Sequence, residues 1–474
     1  ADLWAAVLGL PGPDAVARSD TFFERGGDSI LALQLVTRAR QAGLTLTPRD
    51  VFTHQSLAAL AAHAERQGAR PALPARDAAT DPGLEAGPVP LTPIQSWFLA
   101  APMPRRAHWN MAVLLVPRAR LAADRVAEAL AALSTAHPAL RLRFAQAADG
   151  GWRQTCTAAD AVAAAGSLWR REARDAAALA ALAEAAQTSL DLARGPMLRA
   201  VLVDPAPDGG QRLLLVAHHL VVDAVSWRIL VADLALVLAG RTLPAPATSF
   251  PAWARHLDAL ARDPAEADRR RAWAEAWAAQ LAPPACGLEP ARPDAPNVES
   301  AQTEIADSLD ADATDAFLRR AGRPYRTRPD ELLLAALAVA VSRRCGGRAV
   351  RVVIEGHGRD ADALADSLAD SLADAAGEAA RHDLSRTVGW FTTLVPLRLD
   401  PLGGEPDLPQ DLPPDDAARG LALGPLLGRA LCRVKEARRA LPQPDLSHDL
   451  LRHCAEPDLR HRIAAAPEPG ILLN

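Results

Sequence analysis

Three short stretches gather side chains able to do chemistry. In "VAHHLVVDAVSW" two histidines, His218 and His219, end an apolar run, and Asp223 follows four residues after the second. That spacing suits a metal-ligand pair, an acid/base pair, or a core imidazole followed by a helix cap, since imidazole titrates near neutrality and carboxylates cap helices. Zinc needs a third ligand at recognisable spacing and the run supplies none, so no metal is expected there. In "RVVIEGHGRD" Glu355 stands where an apolar run ends, ahead of Gly356 and Gly358. A carboxylate so placed is either ion-paired, with Arg359 as the near candidate, or a functional group with a perturbed pKa. In "FFERGGDSI" Gly26, Gly27 and Asp28 precede Ser29. Either Asp28 or Ser29 caps the next helix, or Ser29 carries a phosphodiester, which unpaired N–H groups and the positive end of the helix dipole would favour.

The elements that must position these residues follow from periodicity. Residues 1 to about 68 read as a small helical domain. Leu3, Val7 and Leu8 share one face, and Ile30, Leu33 and Val36 recur at helical spacing up to Gly43. Thr47 and Pro48 open a further helix, and a last one from about Ser56 carries Leu57, Leu60 and Ala61. Residues 69–88, rich in Pro, Ala and Gly and without periodicity, have a linker's composition. From Leu91 onward, helical stretches such as "DRVAEALAALSTAHPAL" alternate with the strands "RLLLVAHH", "AVRVVIEG" and "WFTTLVPLRL", the pattern of a large α/β region. The "RLLLVA" run lacks polar alternation and suits a strand covered on both faces. Asp223 fits the N-cap of the following helix, which puts His218 and His219 at a strand-to-helix junction. A Pro- and Ala-rich segment near residues 282–297 divides the region, and an acidic tract from Asp362 to Asp383 reads as a solvated insertion.

Bulk properties narrow the function classes. A chain of 474 residues predicts two or three domains, and 49% hydrophobic with 23% charged residues predicts that they fold. The net charge of −5 and the lack of a basic patch with interleaved aromatics argue against nucleic acid as a partner. No apolar run approaches bilayer length and the first residues lack a leader's pattern, so a cytoplasmic location away from membrane is expected. The five cysteines are widely spaced without a Cys-x-x-Cys pair and are read as reduced. With helical residues at the start and no initiating Met, the chain reads as cut from something longer.

Residues 1 to about 68, with Phe22, Phe23 and then Gly-Gly-Asp-Ser-Ile-Leu-Ala-Leu-Gln-Leu, closely resemble the peptidyl carrier domain of nonribosomal peptide synthetases. The resemblance implies a small all-α four-helix domain with 4′-phosphopantetheine on Ser29, its thiol holding an aminoacyl or peptidyl thioester. Asp28 matches a position that is often Asp when an epimerization domain follows. From residue 89 to the end, "LTPIQSWFL", "HHLVVDAVSWRIL", "PDELLLAALAVAV", "VIEGHGRD" and "SRTVGWFTTLVPL" resemble, in order, the epimerization domain, a branch of the condensation-domain superfamily. That implies an α/β domain of two chloramphenicol-acetyltransferase-like lobes, about 89–270 and 271–474, with a tunnel between them. His219 from one lobe and Glu355 from the other are the implied catalytic pair. Asp223 matches an arginine-paired, structural aspartate; His218, Ser226, Trp227 and Arg359 are supporting positions. An upstream adenylation domain, a downstream condensation domain and a phosphopantetheinyl transferase are the implied partners.

The implied reaction is L-to-D inversion at Cα of the tethered thioester. The thioester carbonyl delocalises a developing carbanion, so a positioned base and some enolate stabilisation suffice without a redox cofactor. Glu355 is the expected base for L to D, and His219 the group that protonates or stabilises the enolate. The alternatives are an amide-forming condensation domain on the same fold and a catalytically silent carrier and docking module. Three departures from the family pattern bear on this choice. Ala224 stands where the family has Gly, Asp445 and Ser447 to Asp449 replace a glycine-rich core, and the sequence stops at "GILLN" where the family continues, so that either it was cut, residues are missing, or the second lobe is incomplete.

Overall fold

The helical spacing of the first 67 residues becomes four helices, α1 (Asp2–Leu8), α2 (Ser29–Gln41), α3 (Pro48–Thr53) and α4 (Leu57–Gln67). Ala32, Leu35, Val36 and Ala39 follow the i, i+3, i+4, i+7 series and turn one face of α2 into a core with Trp4, Phe22, Val51 and Leu60. The turn before α2 is tight. Gly26 has φ 94°, and a Cβ on Gly27 would lie 2.4 Å from the Phe22 ring, so glycine is the residue that fits. The computed structural model describes residues 1–27, 29–44, 46, 48–67, 86–159, 167–244, 248–286, 288, 298–359, 382–403, 416–442, 444–465 and 470–474. Asp28, Thr47 and nearly all of the acidic tract lie outside them.

The larger region begins with β1 (Gly87–Val89), α5 (Pro93–Ala100), β2 (Asn110–Leu115), α6 (Ala123–Ala136), β3 (Leu142–Gln146) and β4 (Trp152–Cys156). It continues through β5 (Leu168–Arg171), α7 (Ala176–Gln187), β6 (Leu198–Val203), β7 (Arg212–His218), α8 (Ala224–Leu238), α9 (Phe250–Arg262) and α10 (Ala267–Leu281). The last part holds a short α11 (Ala311–Asp315), α12 (Pro329–Arg344), β8 (Val350–Gly356), β9 (Thr393–Leu399), α13 (Asp416–Arg439), α14 (Leu446–His453), α15 (Pro457–Ala464) and β10 (Leu472–Leu473). Among the described residues the strands form three sheets, ordered β2-β7-β6-β5, β1-β4-β3 and β10-β8-β9.

Strand β7 lies inside the four-stranded sheet and is apolar on both faces for a visible reason. Leu213, Leu215 and Ala217 point into the main core, whereas Leu214 and Val216 point into a second cluster with Ala186 of α7. A strand covered by core on one side and helix on the other has no solvent face to make polar. In the third sheet, antiparallel pairing sets Glu355 of β8 across from Leu394 of β9. The parallel pair Leu473 and Ile354 then brings the following residue, Asn474, to the level of Glu355. No helix among the described residues is long and apolar enough to cross a membrane.

Several sequence expectations change in three dimensions. Gly87 and Pro88, at the end of the expected linker, pair with β4 as part of β1. A divide at residue 270 would cut α10, which packs on β9, α14 and α15 and so belongs with the third sheet. Cys286 and Cys345, read as reduced thiols, form a disulfide. Their 59-residue separation hides the pairing, because the contact arises when the Cys286 backbone adds beside Val350 of β8. Cys156, Cys432 and Cys454 remain thiols, and burial pushes Cys454 up to about 12. Of the residues replacing the glycine-rich core, Asp445 takes the N-cap position of α14 and the others fold into that helix with their polar atoms engaged. Ser447 accepts from the Trp277 indole at 2.9 Å, His448 and Asp449 lie 3.1 Å apart, and Asp449 accepts from the Leu394 N–H at 2.7 Å.

Candidate active site

The junction between β7 and α8 gives its two histidines opposite surroundings. His218 ends the strand fully buried, accepts from the Leu220 N–H through Nδ1 at 3.1 Å, and reaches the Arg106 carbonyl with Nε2 at 2.9 Å. The first contact fixes the tautomer, so Nε2 donates. Burial above all, with His219 adding to it, drives His218 down to about 4 against the pull of the Arg106 carbonyl, and it stays neutral. The next residue leaves the strand and is only partly covered. Its backbone N–H donates to the Trp109 carbonyl at 2.8 Å, its ring lies 4.4 Å from that of Trp390, and its Nδ1 has no hydrogen-bond partner among the described residues. Burial lowers the His219 pKa, while the nearby His219 backbone and then the charges of Asp223 and Glu355 pull the other way.

Asp223 is the N-cap that its position predicts, accepting from the Ser226 N–H at 2.7 Å. The same carboxylate takes a bidentate pair from Arg359, which also donates to Ser226 Oγ and the Thr387 carbonyl, both at 3.1 Å, and lies over the Phe391 ring. Every acceptor in this cluster is used. Ser226 Oγ also donates to the Gly389 carbonyl at 2.9 Å and accepts its N–H at 3.0 Å. Two glycines permit the close approach. A Cβ on Gly389 would sit 2.1 Å from Phe250, and Gly358, at φ +61, would meet the Phe391 carbonyl at 1.7 Å. Further along α8, buried Asp233 holds His137 at 2.8 Å and Arg386 at 2.6 Å. One helix thus carries two aspartates, each clasping an arginine from the far part of the chain.

Glu355, the last residue but one of β8, is half-buried, and its Oε1 accepts from Thr392 at 3.3 Å. Its sequence neighbour Arg359 pairs with Asp223 instead, which removes the Glu355–Arg359 ion pair as a reading. The segment 390–392 touches both candidate groups, with Trp390 against His219 and Thr392 on Glu355. Trp227 is buried in the main core. Ala224, the methyl that departs from the family pattern, is exposed on the first turn of α8. Sequence reasoning missed Trp390, Thr392 and the His137–Asp233–Arg386 cluster. An aspartate inside an otherwise apolar helix was the available signal for the last, whereas the first two lie in the quoted "SRTVGWFTTLVPL" stretch and only tertiary packing shows which candidate each one touches.

Ser29 opens α2 behind the Gly26–Gly27 turn, at the head of a helix of 13 residues. That placement, with helix N–H groups ahead and a turn that leaves room only for glycine, fits a phosphodiester on the serine. Residues 1–64 match the model of the phosphopantetheine attachment site, and residues 85–412 match that of the condensation domain. The first domain therefore takes 4′-phosphopantetheine as its cofactor. A linear gramicidin synthase of Brevibacillus parabrevis is 35% identical over the whole of this chain, which spans 8% of that protein. Chondramide synthase of Chondromyces crocatus is 34% identical, again over the whole chain and 11% of its own length. Among solved structures, the epimerization domain from the third module of tyrocidine synthetase B superimposes with a TM-score of 0.62 at 26% identity, covering 82% of this chain and 79% of that one. The X-domain of teicoplanin biosynthesis, at 22% identity and a TM-score of 0.55 over 81% of this chain and 76% of that one, shares the fold. The architecture is a carrier-type helical domain plus a chloramphenicol-acetyltransferase-like α/β domain.

Proposed function

Since the chain belongs to the condensation-domain family of nonribosomal peptide synthetases, with a phosphopantetheine attachment domain ahead of it, we propose that it inverts the Cα centre of an aminoacyl or peptidyl thioester, from L to D. The observation that supports this reading is that the 390–392 segment touches both His219, just past the end of β7, and Glu355, near the end of β8. When bound on Ser29, the phosphopantetheine arm supplies a thiol whose thioester acidifies the Cα–H. Inversion needs a proton taken from one face and returned to the other. In the L-to-D direction Glu355 takes the proton, the Cα–H electron pair moves toward the thioester carbonyl, and the His219 imidazolium returns a proton to the opposite face. The reverse direction exchanges these roles. Because burial lowers the His219 pKa, its imidazolium is the scarcer form at neutral pH, so L-to-D turnover falls as pH rises above that pKa. Asp223, Arg359, Ser226 and His218 hold the two groups in place, and an upstream adenylation domain, a downstream condensation domain and a phosphopantetheinyl transferase are the proposed partners.

The match to the general condensation model favours a second reading, amide formation between donor and acceptor carriers. One experiment separates the two. The chain, loaded on Ser29 with an L-aminoacyl arm, is incubated in heavy water, and deuterium at Cα and the D fraction are measured together. Both rise in the epimerase and neither rises in Glu355→Gln or His219→Ala. A confirmed load without exchange, across several side chains, overturns the proposal, and product formation with an acceptor carrier then establishes condensation.

A further inference from the structure

We propose that the carrier domain binds a divalent transition-metal ion between α3 and α4, on Asp50, His54 and His63. The His54 N–H donates to the Asp50 carbonyl at 2.7 Å, a full helical turn, which sets the two side chains on one face. From α4, His63 brings Nε2 to 3.1 Å from Asp50 Oδ1 and stacks its ring 4.3 Å from that of His54. The three ligand atoms lie within 4.8 Å of one another. Ligands on tetrahedral zinc, with bonds of about 2.0–2.1 Å, stand about 3.3 Å apart, so a small rotation of one side chain closes the site. All three residues are half-buried, which leaves a side open for water as a fourth ligand. Two imidazoles with one carboxylate suit zinc, cobalt or nickel better than calcium or magnesium, which prefer oxygen. Among the described residues these three form the one such group.

The site has a mechanical connection to the carrier's working serine. The turn after His54 is bonded to the loop that leads into α2: the Phe22 N–H donates to the Gln55 carbonyl at 2.8 Å, and the Leu57 N–H to the Asp20 carbonyl at 3.0 Å. An ion that fixes His54 therefore stiffens the loop ahead of Ser29.

The test uses the full chain, stripped of metal, titrated with Zn²⁺ in a calorimeter and with Co²⁺ for its ligand-field absorption. The chain has 12 histidines, so variants must locate the ion. One equivalent is expected to bind saturably, with affinity reduced at least about tenfold in Asp50→Asn and in His54→Phe. The phenylalanine keeps a stacked ring on His63, so a folded variant remains available, checked by circular dichroism. Amide exchange at residues 21–27 is expected to slow with zinc in the parent protein. Failure to bind saturably, or affinity unchanged in both variants, overturns the site. Zinc bound there without slowing of those amides overturns the coupling to the loop.

Discussion

Asp223 and His219 stand on the same junction, yet their surroundings differ in kind. The aspartate is buried and saturated: its two oxygens take the Ser226 and Phe391 N–H groups and both arms of Arg359. The histidine is half-covered, leans on Trp390, and keeps Nδ1 without a hydrogen-bond partner among the described residues. A buried charge persists only when its bonding capacity is filled. A group meant to exchange protons needs capacity left over. The contrast fits the first cluster to holding the parts of the domain together and, under the proposed function, leaves the second available for chemistry, although both were equally eligible by residue type.

That contrast can be broken where it is largest. Glu355→Gln and His219→Ala should lower Cα exchange by about 10²–10⁴-fold, the range for removing a general acid or base, while the thermal unfolding temperature stays within a few degrees. A large loss of stability with exchange retained would reverse the assignment. Arg359→Met should do the opposite first: stranding buried Asp223 costs about 3–5 kcal/mol, measured as a shift in the urea midpoint. An unchanged midpoint would remove the clasp from the account.

The paired histidines sharpen the comparison through pH. Folding lowers His218 from its ordinary 6.5 to about 4, so the unfolded chain binds the extra proton and stability falls as pH drops. The contribution is fully present above 6.5 and is lost on descending through that window to about 4, a change of about 3 kcal/mol at 1.36 kcal/mol per unit. His256, held down to about 4 by burial and His382, adds in the same sense. Urea unfolding from pH 7 to 4 should show this slope, reduced in His218→Gln, and a flat profile would contradict the buried neutral imidazole. The smallest effect belongs to Ala224→Gly. Its methyl is exposed at a helix start, so restoring the family's glycine should cost roughly 0.5–1 kcal/mol or less and leave exchange unaltered. A marked gain in exchange would show that the methyl obstructs the site.

Much of the architecture was legible because it depends on local spacing. The apolar series of α2, the Asp223 cap and the two-faced strand β7 each follow from residues a few positions apart, whose burial or capping is set by helical or strand geometry. The family motifs pointed to His219 and Glu355 as the candidate pair, which remains a proposal. Contacts that depend on register were beyond reach. Thr392 meets Glu355 because β8 and β9 pair as they do, Cys286 meets Cys345 because a backbone adds beside β8, and Asp50, His54 and His63 converge because α3 and α4 pack. Even the reach of Arg359 past its near neighbour Glu355 to Asp223 was decided by a desolvated guanidinium needing a carboxylate that could also cap a helix. By itself, sequence determined which residues could cap, pack or titrate. Tertiary structure decided which of them spend that capacity on each other and which keep it free, because burial and hydrogen-bond saturation are properties of neighbours brought together from far along the chain.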